Sequence, residues 1–432
     1  MSELTPAQLK AQKKAAKAAK RAASKEASGV APTRDPREAK KEQQQAAAKE
    51  GGSSSNSGGN NSNNTQGGSN QSSASASSKE DRTRASRPAL FGHLEKAGKV
   101  TAADAGKDVH PEVITLALRY SSYKIVGSSD RARTLLQAFQ RVIADYETPE
   151  GTTLSRNLTT HLGHQIDFVI SARPLSVSMG NAIRWLKQEI SVVSIDMSDQ
   201  AAKDMLVEKI DEYIKEKIDV SGSVIVESAV NDIADGDTVL TFAHSEVVEN
   251  TFIAAHQAGK RFKVIVVDSR PLHEGRKLAR DLSARGIECI YILVSALAHV
   301  LDDVSRVFLG AHAMLSNGAL LSRVGSALIA TAAKRKNIPV IVLCESMKFS
   351  DRVQLDSVTL NELAFPEMLA NTYICDKKQL PEDPSKTSLK YLNLCYDLTP
   401  AANLTKIITE LGHLPPSAVP VIMREYKSAY TM

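Results

Sequence analysis

The chain has 432 residues, enough for two or three domains, and 42% of them are hydrophobic, enough for a sizeable core. Its net charge of +5 is unevenly spread: residues 1–100 carry 18 Lys/Arg against 9 Asp/Glu, and the remainder is acidic by four charges. The basic character therefore belongs to the tail and not to the folded part. No apolar run approaches the roughly 20 residues of a membrane helix, and no signal-peptide core opens the chain. The composition excludes a membrane protein and predicts a cytosolic one. Cys289, Cys344, Cys375 and Cys395 form no CxxC pair, so free thiols in a reducing compartment are expected.

In chain order, residues 9–25 are rich in Lys and Ala and favour helix, yet they offer no apolar face to dock it. Residues 51–78 are almost entirely Gly, Ser, Asn and Gln and cannot bury enough apolar surface to offset chain entropy. Residues 1–107 are thus predicted to be a disordered, low-complexity basic tail. Its lysines suit RNA phosphates; a solvated extension is the plainer reading.

Residues 108–220 predict a helical domain. His110-Pro111 marks a helix start, and Val113, Leu116 and Tyr120 follow at helical spacing. Four more apolar stripes succeed it: Leu135/Phe139/Val142, Leu158/Leu162/Ile166, Met179/Ile183/Leu186 and Leu206/Ile210/Ile218. Ser198 suits an N-cap for the fifth. The Ser-rich joint 171–181 contains Arg173 and Asn181; it reads equally as a mere connection or as a partner contact.

Residues 221–432 change period. Short β-branched runs at 238–243, 263–268, 288–294, 306–309 and 338–344 alternate with helical stretches, and Gly259 and Gly286 suit helix ends. Apolar strands alternating with helices predict a parallel sheet covered on both faces, a Rossmann-like α/β domain. A late strand is expected at 389–398, one long small-residue helix from Ala319 to Lys336, and a last helix ending in ITELG at 408–412. The small residues around Gly325 suit tight helix–sheet packing or a subunit contact.

One constellation suits an anion. Arg270 follows a strand, Gly275-Arg276 opens a helix, and the Asn317-Gly318 turn and Lys348 are expected on the same face. The alternative is that the arginines pair with Asp268 or Glu274. No P-loop, GxGxxG, HExxH or G-x-S-x-G pattern is present, so no metal and no cofactor is expected.

HPEVITLALRY, RPLSVSMGNAIRWLK, SNGALLSRVG, PVIVLCESMKF and YDLTPAANLTKIITELGHLPPSAVPVIMRE together resemble the delta-type members of the regulatory subunit family of eukaryotic translation initiation factor 2B. The resemblance covers about residues 108–432. It implies a non-catalytic subunit of the guanine-nucleotide exchange factor for initiation factor 2. Alpha, beta, gamma and epsilon subunits and a second copy of the chain are the implied partners, with the exchange activity in epsilon. It also implies contact with the alpha subunit of initiation factor 2, phosphorylated or not. Arg131, Arg133, Arg141, Arg173 and Asn181 are the candidates for the phosphorylated partner, with a solvated helix face as the other reading of the first three. Gly325, Leu392, Leu394, Tyr396 and Asp397 are the candidates for subunit contact.

The carboxy-terminal half is also similar to methylthioribose-phosphate and ribose-bisphosphate isomerases, which use a strand-end cysteine and an aspartate. Aligned on VLTFAH and GAHAM, those positions are Ala243 and His312. Alanine has no ionisable group for proton transfer, so catalytic residues are expected to be absent. DSRPLHEGRK resembles the phosphate-binding stretch of those enzymes, which leaves a vestigial anion pocket open. A sugar-phosphate isomerase is the alternative function.

Overall fold

The computed structural model describes residues 88–94, 98, 100–194, 196–370 and 390–430. The low-complexity segment and nearly all of the basic tail lie outside the described residues, as does Cys375.

The described chain begins with helices. α1 (Pro111–Ser121) starts where His110 places a ring nitrogen to accept from the Glu112 amide, with Pro111 in the first turn. α2 (Ser128–Asp145), α3 (Leu154–Ala172) and α4 (Val177–Val192) follow. Ser176 caps α4 by accepting from the Met179 amide. α5 (Asp199–Ile214) is capped by Ser198 as expected. The predicted apolar stripes meet in one core that includes Tyr120, Phe139, Leu158, Leu162, Met179 and Leu206. Each such buried side chain contributes roughly 1.5–3 kcal/mol of transfer free energy.

α5 does not stop at its end. It passes into a π-helical stretch, Lys215–Val220, and then into α6 (Ser221–Val230). The expected division at residue 220 falls inside this unbroken run. Ile218 packs into the helical core and Ile225 into the core beneath the sheet.

The α/β part contains, among the described residues, a seven-stranded sheet of order β11-β10-β7-β4-β1-β2-β3. Its strands are β1 (Thr238–Phe242), β2 (Lys263–Asp268), β3 (Glu288–Leu293), β4 (Arg306–Gly310), β7 (Val340–Leu343), β10 (Lys406–Thr409) and β11 (Gly412–Leu414). Every pairing is parallel except β10 with β11. α7 (Glu246–Gln257) and α8 (Gly275–Ala284) link β1, β2 and β3, and Gly259 and Gly286 follow them at positive φ. Apolar clusters cover both faces of the sheet, as near-continuous apolar strands require. A second, four-stranded sheet has the order β8-β5-β6-β9, from β5 (Ala313–Leu315), β6 (Leu320–Arg323), β8 (Phe349–Ser350) and β9 (Tyr396–Thr399). α9 (Ser326–Arg335) follows β6, and α10 (Val419–Tyr430) ends the described chain.

Three expectations change. The long helix from Ala319 is a strand and then a helix: Leu320 and Ser322 are buried while their neighbours are less so, a period of two. Gly325 then turns the chain at φ 115, where an added Cβ would lie 2.6 Å from the Phe242 ring. ITELG is no helix end, because Ile408 pairs with β7 and His413 and Thr409 turns into the β10–β11 hairpin. The late strand is shorter than 389–398; its ladder covers Tyr396–Thr399, with Leu394 making a single bridge to Leu363.

Candidate functional site

A cleft of about 240 Å³ lies between the start of α2 and the carboxyl ends of β1 and β4, the position at which open α/β sheets bind ligands. Ala243 and His312 both line it. Ala243 is buried at the end of β1 with φ 57, and its amide donates to Val267 O at 2.9 Å. His312 stacks on the Tyr396 ring, centroids 4.1 Å apart. Burial, and then Arg131 and Arg323, hold its pKa well below the ordinary value. It is a neutral ring in a cationic setting and carries no proton to give as an imidazolium.

Two cations of the cleft wall, Lys348 and Arg323, are answered by the chain's own acids, while Lys124 and Lys277 also line it. Lys348 Nζ lies 2.6 Å from Glu345 Oε2, both buried. Burial alone would raise the Glu345 pKa, but Lys348 holds it below the ordinary value; Lys348 is held above its own by Glu345 against burial. Glu345 also accepts from Ser129 Oγ at 2.8 Å, tying α2 to the end of β7. Arg323 makes a two-pronged pair with Glu274 at 2.6 and 2.9 Å. Behind Tyr396, the fully buried Arg173 donates to Glu362 and, at 3.2 Å, to the Tyr396 hydroxyl.

Two candidates for the phosphorylated partner are therefore corrected: Arg131 and Arg173 are both fully buried and present no surface. Arg131 donates to Pro174 O and lies over the Tyr120 ring at 5.3 Å, while its Nε and Nη1 have no partner among the described residues. Burial, and then Arg173, lower its pKa. Asn181 is turned inward and donates to Met347 O and Phe349 O at 2.8 and 3.1 Å. Arg133 pairs with Asp219 at 2.7 Å, half-buried, and Arg141 pairs with Glu112 on the exposed face of α2.

The anion constellation does not assemble. Of its members only Lys348 lines the cleft. Arg270 and Arg276 are exposed. Gly275 begins α8, but the amino end of that helix is occupied by the chain's own Asp268, which accepts from the Arg276 amide at 3.1 Å and from Tyr291 at 2.9 Å. Asn317 and Gly318 form the β5–β6 hairpin turn, with Asn317 donating to Gln354 O at 2.8 Å and Gly318 packed against Pro416. The open alternative, pairing with Asp268, is met by a backbone amide and not by a guanidinium.

The subunit-contact candidates are also redistributed. Tyr396 is buried, and Asp397 accepts from the Gly325 and Ala327 amides at 2.6 and 3.0 Å, capping α9. Burial raises the Asp397 pKa to about 6. Leu392 and Leu394 are half-buried. Glu345, Glu274 and Glu362 were missed in the sequence. Glu345 and Lys348 stand three residues apart in CESMK, a spacing that signals a local pair; the other two meet their arginines only through the fold.

A cleft at the carboxyl edge of a parallel sheet, roofed by a helical layer, places the chain in the class of two-layer proteins that couple a helical bundle to a Rossmann-like domain. The initiation factor 2 subunit family model matches residues 124–416, and the chain belongs to that family. It is 48% identical over 346 residues to translation initiation factor eIF2B subunit delta of Schizosaccharomyces pombe, covering 79% of this chain and 74% of that protein. It is similar to a chain of the crystal structure of the tetrameric eIF2B-beta2-delta2 complex from C. thermophilum. That likeness has a TM-score of 0.67 and 34% identity, over 76% of this chain and 99% of that one. Ribose 1,5-bisphosphate isomerase of Pyrococcus furiosus is 29% identical, over 73% of this chain and 94% of that protein. The expected resemblance to delta-type subunits is met. Among the described residues no helix is long and apolar enough to cross a membrane, and no cluster of three or more His, Cys, Asp or Glu suits a metal.

Proposed function

We propose that the chain is a non-catalytic regulatory subunit of the guanine-nucleotide exchange factor for initiation factor 2, acting in the cytosol. The carrying observation is the cleft itself. Its two isomerase-type positions hold Ala243 and a neutral His312, and Lys348 and Arg323 are neutralised by Glu345 and Glu274. General acid–base chemistry needs an ionisable group at the reacting atom, and a phosphorylated sugar needs uncommitted cations. Neither isomerase-type position supplies such a group, and these two cations are committed to the chain's own carboxylates.

In this reading the chain assembles with beta-type and alpha, gamma and epsilon companions and with a second copy of itself, and epsilon performs exchange. The helical domain, residues 108–220, contributes to the surface that meets the alpha subunit of initiation factor 2. Arg133 and Arg141 remain the candidates for its phosphorylated loop. Leu392 and Leu394 remain candidates for subunit contact. The basic tail is read as a solvated extension, with contact to RNA as the alternative.

The test has two arms. Purified protein incubated with ribose 1,5-bisphosphate or methylthioribose 1-phosphate is expected to give no ketose; turnover would establish the isomerase reading instead. Co-expression with the four companions is expected to give a complex whose nucleotide exchange is slowed by phosphorylated initiation factor 2 only when this chain is present. Unchanged inhibition in its absence removes the regulatory role.

A further inference from the structure

We propose that His110, His161 and Gln165 form an acid-sensitive clasp that holds the lead-in to α1, residues 100–110, on α3 and releases it when the rings take up a second proton. The clasp is built on a buried amide whose polarity the backbone fixes. Gln165 of α3 is fully buried. Its Oε1 accepts from the His110 amide at 3.0 Å, and its Nε2 donates to Asp108 O at 2.7 Å. A side-chain amide has one acceptor end and one donor end, so these two bonds exclude the flipped orientation. The same Nε2 stands 3.3 Å from His161 Nε2. That ring nitrogen therefore meets an N–H and must be the acceptor of a neutral ring.

His110 is under the same constraint. Its Nδ1 accepts from the Glu112 amide at 3.2 Å as the cap of α1, and its Nε2 lies 3.1 Å from Asp145 Oδ2. The single ring proton of the neutral form therefore points at Asp145. A second proton on either ring sets donor against donor. At His161 the clash is with the Gln165 amide, and at His110 it is with the first turn of α1. What the clasp holds down is apolar, since Val100, Ala105 and Val109 pack on the helical core. Both rings are half-buried, near enough to solvent to exchange protons.

The surroundings set the direction. Asp108 and His110 from the lead-in and His164 on the same helix face His161. The Tyr146 ring at the end of α2 packs on it with centroids 5.0 Å apart. Asp145 and Asp199 stand beyond, the first on His110 and the second near Tyr146, and Glu112 beside His110 is taken by Arg141. Burial, and then His164, hold the His161 pKa below its ordinary value of 6.5, with Asp108 opposing. The folded state thus binds this proton less tightly than the unfolded one. Its contribution to stability is whole above 6.5 and is lost as the pH falls below that value. Opening of the clasp is therefore an acid response.

Hydrogen exchange of the full chain, corrected for the intrinsic rate at each pH, would be followed by mass spectrometry at about pH 7.5 and about pH 5.5, a span across which histidine changes charge. Peptides covering residues 100–121 are expected to lose protection by about tenfold at the lower pH, while those of α4 keep theirs. His161→Gln retains an uncharged acceptor and should remove most of that loss. Combined with His110→Asn, a good helix cap, it should remove all of it. Equal protection of the wild type at both pH values overturns the proposal, as does a loss that persists in the double variant. A loss shared equally by α4 is global unfolding and overturns it too. If the double variant fails to fold, the ring resonances of His161 in the wild type decide: their titration midpoint must coincide with that of the opening, and a ring that titrates elsewhere overturns the proposal.

Discussion

Lys348 Nζ and Glu345 Oε2 meet at 2.6 Å on the wall of the cleft, with 6% and 2% of their side chains exposed. Both residues line the cleft at the carboxyl edge of the sheet, where open α/β folds bind their ligands. The pair links the end of β7 to α2 through Ser129, so the group that could have met a ligand now joins two structural layers.

Removing one member should cost far more than removing both. Lys348→Met strands a buried carboxylate and is expected to destabilise by about 3–5 kcal/mol. Lys348→Met combined with Glu345→Gln should recover at least half of that loss. Urea unfolding of the three proteins checks the non-additivity; equal losses in the single and double variants would contradict it.

Asp397 gives a pH dependence with a definite sign. Its pKa is raised from 3.8 to about 6 by burial, so the folded state holds the proton more tightly than the unfolded one. Stability from this group is therefore present at acid pH and is lost as pH rises from about 4 through 6. The stability difference between wild type and Asp397→Asn should fall by up to about 3 kcal/mol over that interval. A difference independent of pH, measured by chemical denaturation from pH 4 to 7, would refute the assignment.

Gly325→Ala places a methyl group 2.6 Å from the Phe242 ring at a backbone φ of 115. A loss of at least about 2 kcal/mol is expected from backbone strain and the clash together. Gly151→Ala, also at positive φ but with nothing within 4 Å, should cost less. Paired thermal melts decide this, and equal shifts would show that the ring contact is relieved cheaply.

Arg133→Ala and Arg141→Ala should each leave stability within about 0.5 kcal/mol, since their pairs are solvated. They should also weaken binding of the assembled complex to the phosphorylated partner. Arg131→Ala should instead lower the melting temperature, because it removes a fully buried side chain. Binding unchanged in both surface variants would remove them from the proposed contact.

Much of this was readable from residues alone because periodicity reports burial directly. The stripes through Leu135, Leu158 and Leu206 and the apolar runs at 238–243 and 263–268 became the helical core and the sheet. What failed was whatever depended on distant partners. Leu320 to Arg323 has the small, helix-tolerant composition of its neighbours, and only its pairing with β9 makes it a strand. Arg131 and Arg173 look like surface arginines in sequence; their burial follows from Tyr120, Glu362 and Tyr396 arriving from elsewhere. Ala243 and His312 were legible through the resemblance of VLTFAH and GAHAM to the isomerases, and the structure brings both to one cleft just beyond β1 and β4. The acids that pair with Arg323 at the cleft and with Arg173 behind it were not, since Glu274 and Glu362 lie 49 and 189 residues from those arginines.

The rod formed by α5, the π-helical stretch and α6 runs without a break from Asp199 to Val230, from the helical layer to the core beneath the sheet. The winding is continuous along its length, so the two layers share one helical element. The wider winding at Lys215–Val220 is of the kind that often marks functional positions, and its own Asp219 holds Arg133 of α2 at 2.7 Å.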